Sequence, residues 1–528
     1  MVYEIRDLNL PVGMGESELH RRVADRLGVE PQRVSGLRIV RRAIDSRQKP
    51  RIKWVLTVRF ELDPGDGEAE LLLERGLLSR VENRPPEAIT RLSRPRPVLV
   101  VGMGPSGLFA AWQLARHGVP VTLLERGRPV EQRVVDVRRF WDTGVLDPES
   151  NVQFGEGGAG TFSDGKLTTR LKHPDIRLIL EQLVNCGAPE SILVDARPHV
   201  GTDRLRLVLL RLRQVLIELG VQLRYESTLT GLCLEGEKVC GGKLRSGESL
   251  LADAVLLAPG HSSREVFRML ADTGVMLEAK GFAVGLRVEH PAGLIDAIQY
   301  GQRPRHPDLP PADYRLAWNE PGSKRGIYSF CMCPGGEVVN ASSESGRLVV
   351  NGMSSLARAG EFSNSALVVS VGVDDMAGTD IMAGLRFQEE LEARAFQAAG
   401  ADFMAPAQNM MAFLGRGSAP LQSSVRPGVR DTDLGELLPG FITSALRQAL
   451  PQFDRRMRGF VTRDACLVGV ETRTSSPLRI VRGADGQSIS HPGLYPAGEG
   501  AGYAGGIMSS ALDGLRCANS IIQRQREG

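Results

Sequence analysis

Apolar positions change their spacing at definite places along this chain, and each change predicts an element. Residues 3–10, YEIRDLNL, alternate apolar and polar side chains, the two-residue period of a half-buried strand. SELHRRVADRLG (17–28) moves to the three-to-four-residue spacing of a helix, with Ser17 in the N-cap position. Two further alternating runs, SGLRIVRRAID and RIKWVLTVRFEL, flank a polar turn at 46–50 and read as paired strands. The pattern predicts a small α+β unit, ferredoxin-like, over residues 1–92. It ends in an acidic, glycine-containing stretch at 63–70 and an Arg- and Pro-rich linker at 91–97.

From residue 97 the pattern is of another kind. PVLVV is continuously apolar, as in a parallel strand covered on both faces. It runs into Gly102-Met103-Gly104-Pro105-Ser106-Gly107, then an amphipathic helix, LFAAWQLARHG, and a second strand, VTLLE, ending at Glu125. In such a βαβ unit Gly102 permits the tight turn, Gly104 admits a pyrophosphate to the backbone, and Gly107 lets the helix pack closely on the sheet. The phosphate meets the free N–H groups of the helix N-terminus. Glu125 and its neighbour Arg126 close the second strand, where an acid accepts hydrogen bonds from an adenosine ribose. A long helix (203–220), short strands and ADAVLLAPG, which ends at Gly260, continue the unit. Residues 281–415 interrupt it as an inserted α+β substrate cap. GLYPAGEGAGYAGGIMSSALDGLRCA (493–518) supplies another strand, glycine turn and helix. The expected fold class is therefore α/β, with a Rossmann-type domain built from segments 97–280 and 416–528.

Composition narrows the class. Charged residues at 24% and hydrophobic residues at 42% are those of a globular chain, and a net charge of +3 gives no global case for nucleic acid or an anionic membrane. The first 60 residues, however, carry 13 Lys/Arg against 7 Asp/Glu, a local +6. Arg41, Arg42, Arg47, Lys49, Arg51 and Lys53 cluster there on one predicted hairpin. The N-terminus lacks the apolar stretch of a signal peptide and no segment reads as a membrane span. The 7 cysteines include no CxxC pair, so a reducing cytoplasm is expected. Cys331 and Cys333 are too close in sequence for an ordinary redox disulfide of the CxxC or CxxxxC kind and read as buried structural cysteines. No metal-ligand spacing is present.

The C-terminal segment resembles the flavin motif of two-segment FAD enzymes of the glutathione reductase class, with Glu499 where an Asp is more usual. FGEGGAGTFSDGKL (154–167), PHVGTD, FAVGLRVEHP, YSFCMCPGG and GVETRTSSPLRI are similar to the uncharacterised bacterial FAD-dependent dehydrogenase family. The resemblance implies non-covalent FAD. It places Gly157, Gly158, Ala159 and Gly160 against the isoalloxazine, Gly498 and Glu499 at the ribityl chain, and Gly505, Gly506 and Ile507 at a helix N-terminus aimed at the ring.

Catalytic candidates in the insertion are Arg287 and Glu289, which share a strand face and also read as an exposed salt-bridged face, and His290, which also reads as a strand end before Pro291. Arg473 reads equally as a substrate-carboxylate ligand or part of a surface turn, and Lys166 as a stabiliser of reduced flavin or an outward solvated lysine. The expected activity is FAD-dependent dehydrogenation or reduction of a small organic molecule, with hydride passing at flavin N5 and NADH or NADPH as a transient donor. RNA modification through the basic N-terminal unit, and FAD binding without turnover, are the alternatives.

Overall fold

The computed structural model describes residues 1–63, 68–81, 89–323, 325–376, 378 and 380–527, and three sheets organise them. The first is antiparallel, in the order Val34–Asp45, Lys53–Leu62, Val2–Pro11, Ser79–Arg80, with helices Glu16–Leu27 and Glu68–Glu74. Strand-helix-strand-strand-helix-strand in that order is the ferredoxin-like arrangement the alternating patterns predict. Ser17 is not the N-cap: the helix opens two residues earlier, at Glu16, behind an extended Gly15 with no side-chain cap. Of the acidic stretch at 63–70, residues 64–67 lie outside the described residues.

The second sheet holds five parallel strands in the order Leu494–Pro496, Ala254–Leu257, Val98–Val101, Val121–Leu124, Gln222–Arg224. Val98 and Val100 pack under helices Pro105–Arg116, Thr202–Glu218 and Ile507–Glu527. Leu99 and Val101 face the three-stranded sheet of residues 229–251 and helix Arg264–Asp272. Burial on both faces is why these strands read as unbroken apolar runs. The strand at 494–496 joins the edge of a sheet begun almost 400 residues earlier, so two distant segments complete one Rossmann-type sheet.

The third sheet is mainly antiparallel, with seven strands: Ala317–Asn319, Gly326–Cys333, Phe362–Val371, Phe282–Pro291, Cys466–Glu471, Ala405–Asn409 and Val429–Asp431. Helices Ala383–Ala398 and Gly440–Arg456 contribute to the core packed on it. The expected boundary at 415/416 is therefore corrected. Val429–Asp431, Gly440–Arg456 and Cys466–Glu471 all belong to the inserted layer, and the chain returns to the parallel sheet only after the strand Leu478–Ile480 pairs with Leu277–Ala279. CLVGVE is apolar at nearly every position, and such a run suits a central antiparallel strand as well as a parallel one.

The N-terminal unit docks on both others. Arg42 donates its N–H to Val194 O (2.9 Å) and accepts at its carbonyl from Ala196 N (2.8 Å), while Ile52 joins the core of the inserted layer. Among the described residues no helix is long and apolar enough to cross a membrane.

Candidate functional site

The glycine turn after Val101 is built by steric necessity. Gly102 has φ +100°, and a Cβ there would stand 2.2 Å from Ala258 O on the adjacent strand. A Cβ on Gly107 would stand 1.9 Å from Gly102 O, so the helix from Pro105 can sit this close only without one. Gly104 differs: its φ is ordinary, and the nearest atom to its missing Cβ is Gly158 Cα at 4.0 Å. Its open face is where a ligand would lie.

Gly158, at φ +61°, rests on Gly104, and Gly157 N donates to Met103 O (2.8 Å). Two residues on, beyond Ala159 at the start of a short 3-10 turn, Gly160 would carry its Cβ 3.0 Å from Ile507 Cγ1, at the start of the C-terminal helix. Gly498 fits against Ser106, and Gly500 against Gly260 O. The three glycine segments predicted separately thus converge, and the N-termini of helices Pro105–Arg116 and Ile507–Glu527 open on the same loop. Around the missing Cβ positions of Gly260, Gly505 and Gly506 no atom lies within 4 Å. The buried Ser106 hydroxyl has no hydrogen-bond partner. Open glycine faces, an orphaned hydroxyl and two positive helix ends fit a dinucleotide whose pyrophosphate needs backbone N–H groups.

Two carboxyls border this cradle. Glu125 accepts from Met103 N (2.9 Å), Gly127 N (3.0 Å) and Gly155 N (2.9 Å), tying the first turn to the glycine loop. A carboxylate offers about four acceptor sites, so one on Oε2 remains for a ribose hydroxyl. Glu499 is half-buried, and that burial pushes its carboxyl up to about 8, opposed by the Lys280 ammonium and the Gly506 N–H. Arg126 stacks 3.9 Å over Phe154 and pairs with Glu149 and Glu265, walling a cleft of about 200 Å³ with Glu226, Thr228 and Arg245. This cleft lies beyond the carboxyl ends of the parallel strands, where open α/β sheets bind ligands.

Arg133 went unforeseen. Fully buried, it donates to the carbonyls of Asn151 (2.8 Å), Val152 (3.0 Å), Gly155 (3.2 Å) and Glu156 (2.7 Å) and so shapes the glycine loop. Burial draws its guanidinium down to about 10. The signal was present: Arg133 occupies the same helix face as the buried Val130, Val137, Phe140 and Trp141.

The insertion's candidates are placed otherwise than the alternation suggested. Arg287 and Glu289 share a face, but that face is wholly buried. Arg287 donates to Glu471 Oε2 (2.8 Å) and Asn364 Oδ1 (2.5 Å), whereas Glu289 accepts from Ser423 and Ser424. The exposed, mutually paired face is thus overturned. His290 points to the opposite face, with Nε2 2.7 Å from Phe460 O, and burial lowers it to about 4. It is a core histidine. Arg473 is neither surface turn nor free to hold substrate: buried, it grips Glu392 at 2.7 and 3.0 Å, and Arg264 holds the same carboxylate from another side. Lys166 is not outward either. Its Nζ is buried without a hydrogen bond, 3.4 Å from Asp164, which Ser354 and Arg358 also hold.

Cys331 and Cys333 lie near Lys166 and Arg287. The Cys333 thiol, then the two cations, bring Cys331 down to about 5 against the effect of burial; the Cys333 thiol is pushed well up. Cys333 fits the structural reading, but the half-buried Cys331 does not. On the basic hairpin, Arg42 pairs with Asp195, Arg47 with Asp45, and Lys49 donates to Ile298 O; Arg38, Arg41 and Arg51 are exposed.

Comparison with known proteins places this geometry. A family profile described as FAD-dependent protein, C-terminal domain-like, matches residues 281–474, the inserted sheet. An NAD(P)-binding Rossmann-like domain matches residues 100–130, and a domain of unknown function matches 2–61. An uncharacterised protein of Clostridium beijerinckii is 42% identical over 538 residues, covering 99% of each chain. Among solved structures, a geranylgeranyl bacteriochlorophyll reductase-like protein of Thermoplasma acidophilum is 14% identical over 82% of this chain and 80% of its own, with a TM-score of 0.35. A flavin-dependent brominase is 12% identical over 82% of this chain and 80% of its own, with a TM-score of 0.36. The Rossmann-type fold is carried by this chain's own strand order and glycine cradle.

Proposed function

From the premise that this chain belongs to the family of FAD-dependent proteins it shares over its full length with the Clostridium relative, we propose that it is an oxidoreductase that moves hydride between FAD and a small organic molecule held beneath the inserted sheet. The observation that carries this reading is the convergence of Gly104, Gly158, Gly160, Gly260 and Gly498 on two helix N-termini. Bound FAD supplies the two-electron chemistry at its N5. The chain supplies the rest.

The Gly104–Ser106 turn and the helix behind it hold the pyrophosphate, and the free site on Glu125 receives a ribose hydroxyl. Glu499, kept protonated near neutrality by burial, can donate a hydrogen bond as well as accept one, which suits a polyhydroxyl chain. Lys166 and the start of helix Ile507–Glu527 offer positive potential where a reduced ring carries negative charge. Arg133 keeps the glycine loop in shape.

The test is an absorption spectrum of the purified protein before and after heat release of the cofactor, then anaerobic addition of NADH and of NADPH. Released FAD together with bleaching by one nicotinamide is the expected result and names the donor. FAD that no nicotinamide bleaches moves the donor role to the organic substrate. A protein that takes up no flavin on reconstitution overturns the reading.

A further inference from the structure

The Cys331-Met332-Cys333 segment is a cluster of reactive groups that hydride transfer leaves unused. In a regular strand residues two apart share a face, and both thiols would pack between layers. Here the ladder between Gly326–Cys333 and Phe362–Val371 loses register between Phe330 and Cys333, and Cys331 takes φ +43°. A left-handed residue with a side chain is uncommon, and such positions gather at functional sites. The kink brings the Cys333 thiol onto the backbone of its partner, donating to Cys331 O at 3.4 Å, with Cys333 fully buried and Cys331 half-buried.

The groups facing the pair come from every wall. Arg287 Nη1 stands 4.0 Å from Cys333 Sγ and 3.3 Å from Cys331 O. Lys166, with Asp164, closes the glycine loop, and its ammonium acts on both sulfurs. The charge of Cys331 is felt in turn by Glu471 and by Glu499. Gly335 and Gly336, directly after the pair, pack against Arg358 and Ser354, which both hold Asp164, so the segment lies beside the end of the glycine loop.

We propose that Cys331 and Cys333 form a redox pair that cycles between dithiol and disulfide and exchanges two electrons with the flavin of the neighbouring cradle, an inference that rests on the flavoprotein reading. The two thiols have unequal roles. Cys331, half-buried and flanked by two cations, is the thiolate that meets an external thiol; Cys333, buried and protonated, resolves the pair. In the oxidative direction the S–S bond forms, the Cys333 S–H bond breaks, and two electrons and that proton pass to oxidised flavin. An external thiol restores the pair by exchange: two thiols become one disulfide and the Cys331–Cys333 disulfide opens. Thiols are thus the class of reductant this site would accept.

The experiment uses purified holoprotein under anaerobic conditions, with dithiothreitol as the thiol and flavin absorbance as the readout, in wild type, Cys331→Ser and Cys333→Ser. Wild type should bleach, with a Cys331–Cys333 disulfide peptide found by mass spectrometry before addition; each variant should bleach at least ~10-fold more slowly, while dithionite bleaches all three. Equal bleaching by dithiothreitol in wild type and variants overturns the pair and leaves the FAD reading intact. A preparation without flavin overturns the FAD reading and the pair's electron acceptor with it. Should a serine variant not fold, wild type decides: once it has been reduced with dithiothreitol and desalted anaerobically, iodoacetamide at pH 6 should alkylate Cys331 at least ~10-fold faster than any other of the 7 cysteines. Labelling of Cys331 no faster than the rest overturns the proposal.

Discussion

At the scale of single residues, Gly104 and Gly107 stand three positions apart in one motif and answer to different constraints. A methyl on Gly107 collides with Gly102 O at 1.9 Å, whereas one on Gly104 meets only Gly158 Cα at 4.0 Å and needs no change of φ. Gly107→Ala should therefore cost about 3 kcal/mol or more of stability in chemical denaturation, with or without FAD. Gly104→Ala should stay within about 0.5 kcal/mol of wild type as apoprotein yet lose roughly 10-fold or more in FAD affinity by fluorescence titration, about 1.4 kcal/mol. Equal loss of stability in both would mean that Gly104 serves packing alone. Glu499 adds a pH dependence. Its carboxyl sits at about 8 in the folded apoprotein against an ordinary value of 4.5, so the folded state keeps a proton that the unfolded state releases. Stability is then full below about pH 4.5 and falls by up to about 1.4 kcal/mol per pH unit until about pH 8. Glu499→Gln should flatten that slope, raising apoprotein stability at pH 8 and changing it little at pH 4.5; an unaltered slope would remove Glu499 as its source.

At the scale of elements, legibility followed the range of the interactions. The glycine turn, its helix and the acid after the second strand lie within 24 residues, and backbone sterics alone order them; their glycines could be read from sequence and stand where the motif requires. Arg287 and Glu289 could not be read, because alternation reports only a shared face. Strand Phe282–Pro291 is flanked by Phe362–Val371 and Cys466–Glu471 and covered on both sides, and the partners Glu471 and Ser424 are distant in sequence. For the same reason Arg473 looked like loop polarity: its counter-ion Glu392 sits 81 residues back on another element. Arg133 lies between these cases, a charge on an apolar helix face, and it makes the element-scale prediction. Arg133→Met keeps the volume and removes the donors to four carbonyls of the glycine loop. Buried acceptors left unpaired cost about 1–3 kcal/mol each before relaxation, so a loss of about 3–5 kcal/mol is expected, together with FAD that washes out on gel filtration. Retained FAD with unchanged stability would show that the loop shapes itself.

At the scale of the whole molecule, the N-terminal unit bridges the other two. One edge of its sheet continues as backbone hydrogen bonds between Arg42 and residues 194 and 196 of the parallel-sheet unit, supported by the Arg42–Asp195 ion pair. A turn away, Ile52 inserts into the core of the inserted layer and Lys49 donates to Ile298 O. The exposed ion pair adds little, about 0–1 kcal/mol, so the apolar anchor should dominate the docking. Truncating a buried isoleucine costs about 2–5 kcal/mol. In Ile52→Ala that cost falls on docking rather than on the N-terminal unit's own core, because the side chain packs with the inserted layer and not with Tyr3, Val23 and Phe60. Hydrogen exchange at the Arg42 and Ala196 amides should then accelerate roughly 10-fold or more, while amides of the Val2–Pro11 and Lys53–Leu62 ladder exchange as in wild type. Acceleration across both sets would instead make the three units one cooperative fold. Acceleration in neither would place the docking energy in the strand-edge hydrogen bonds, and Arg42→Ala would become the variant that separates the units.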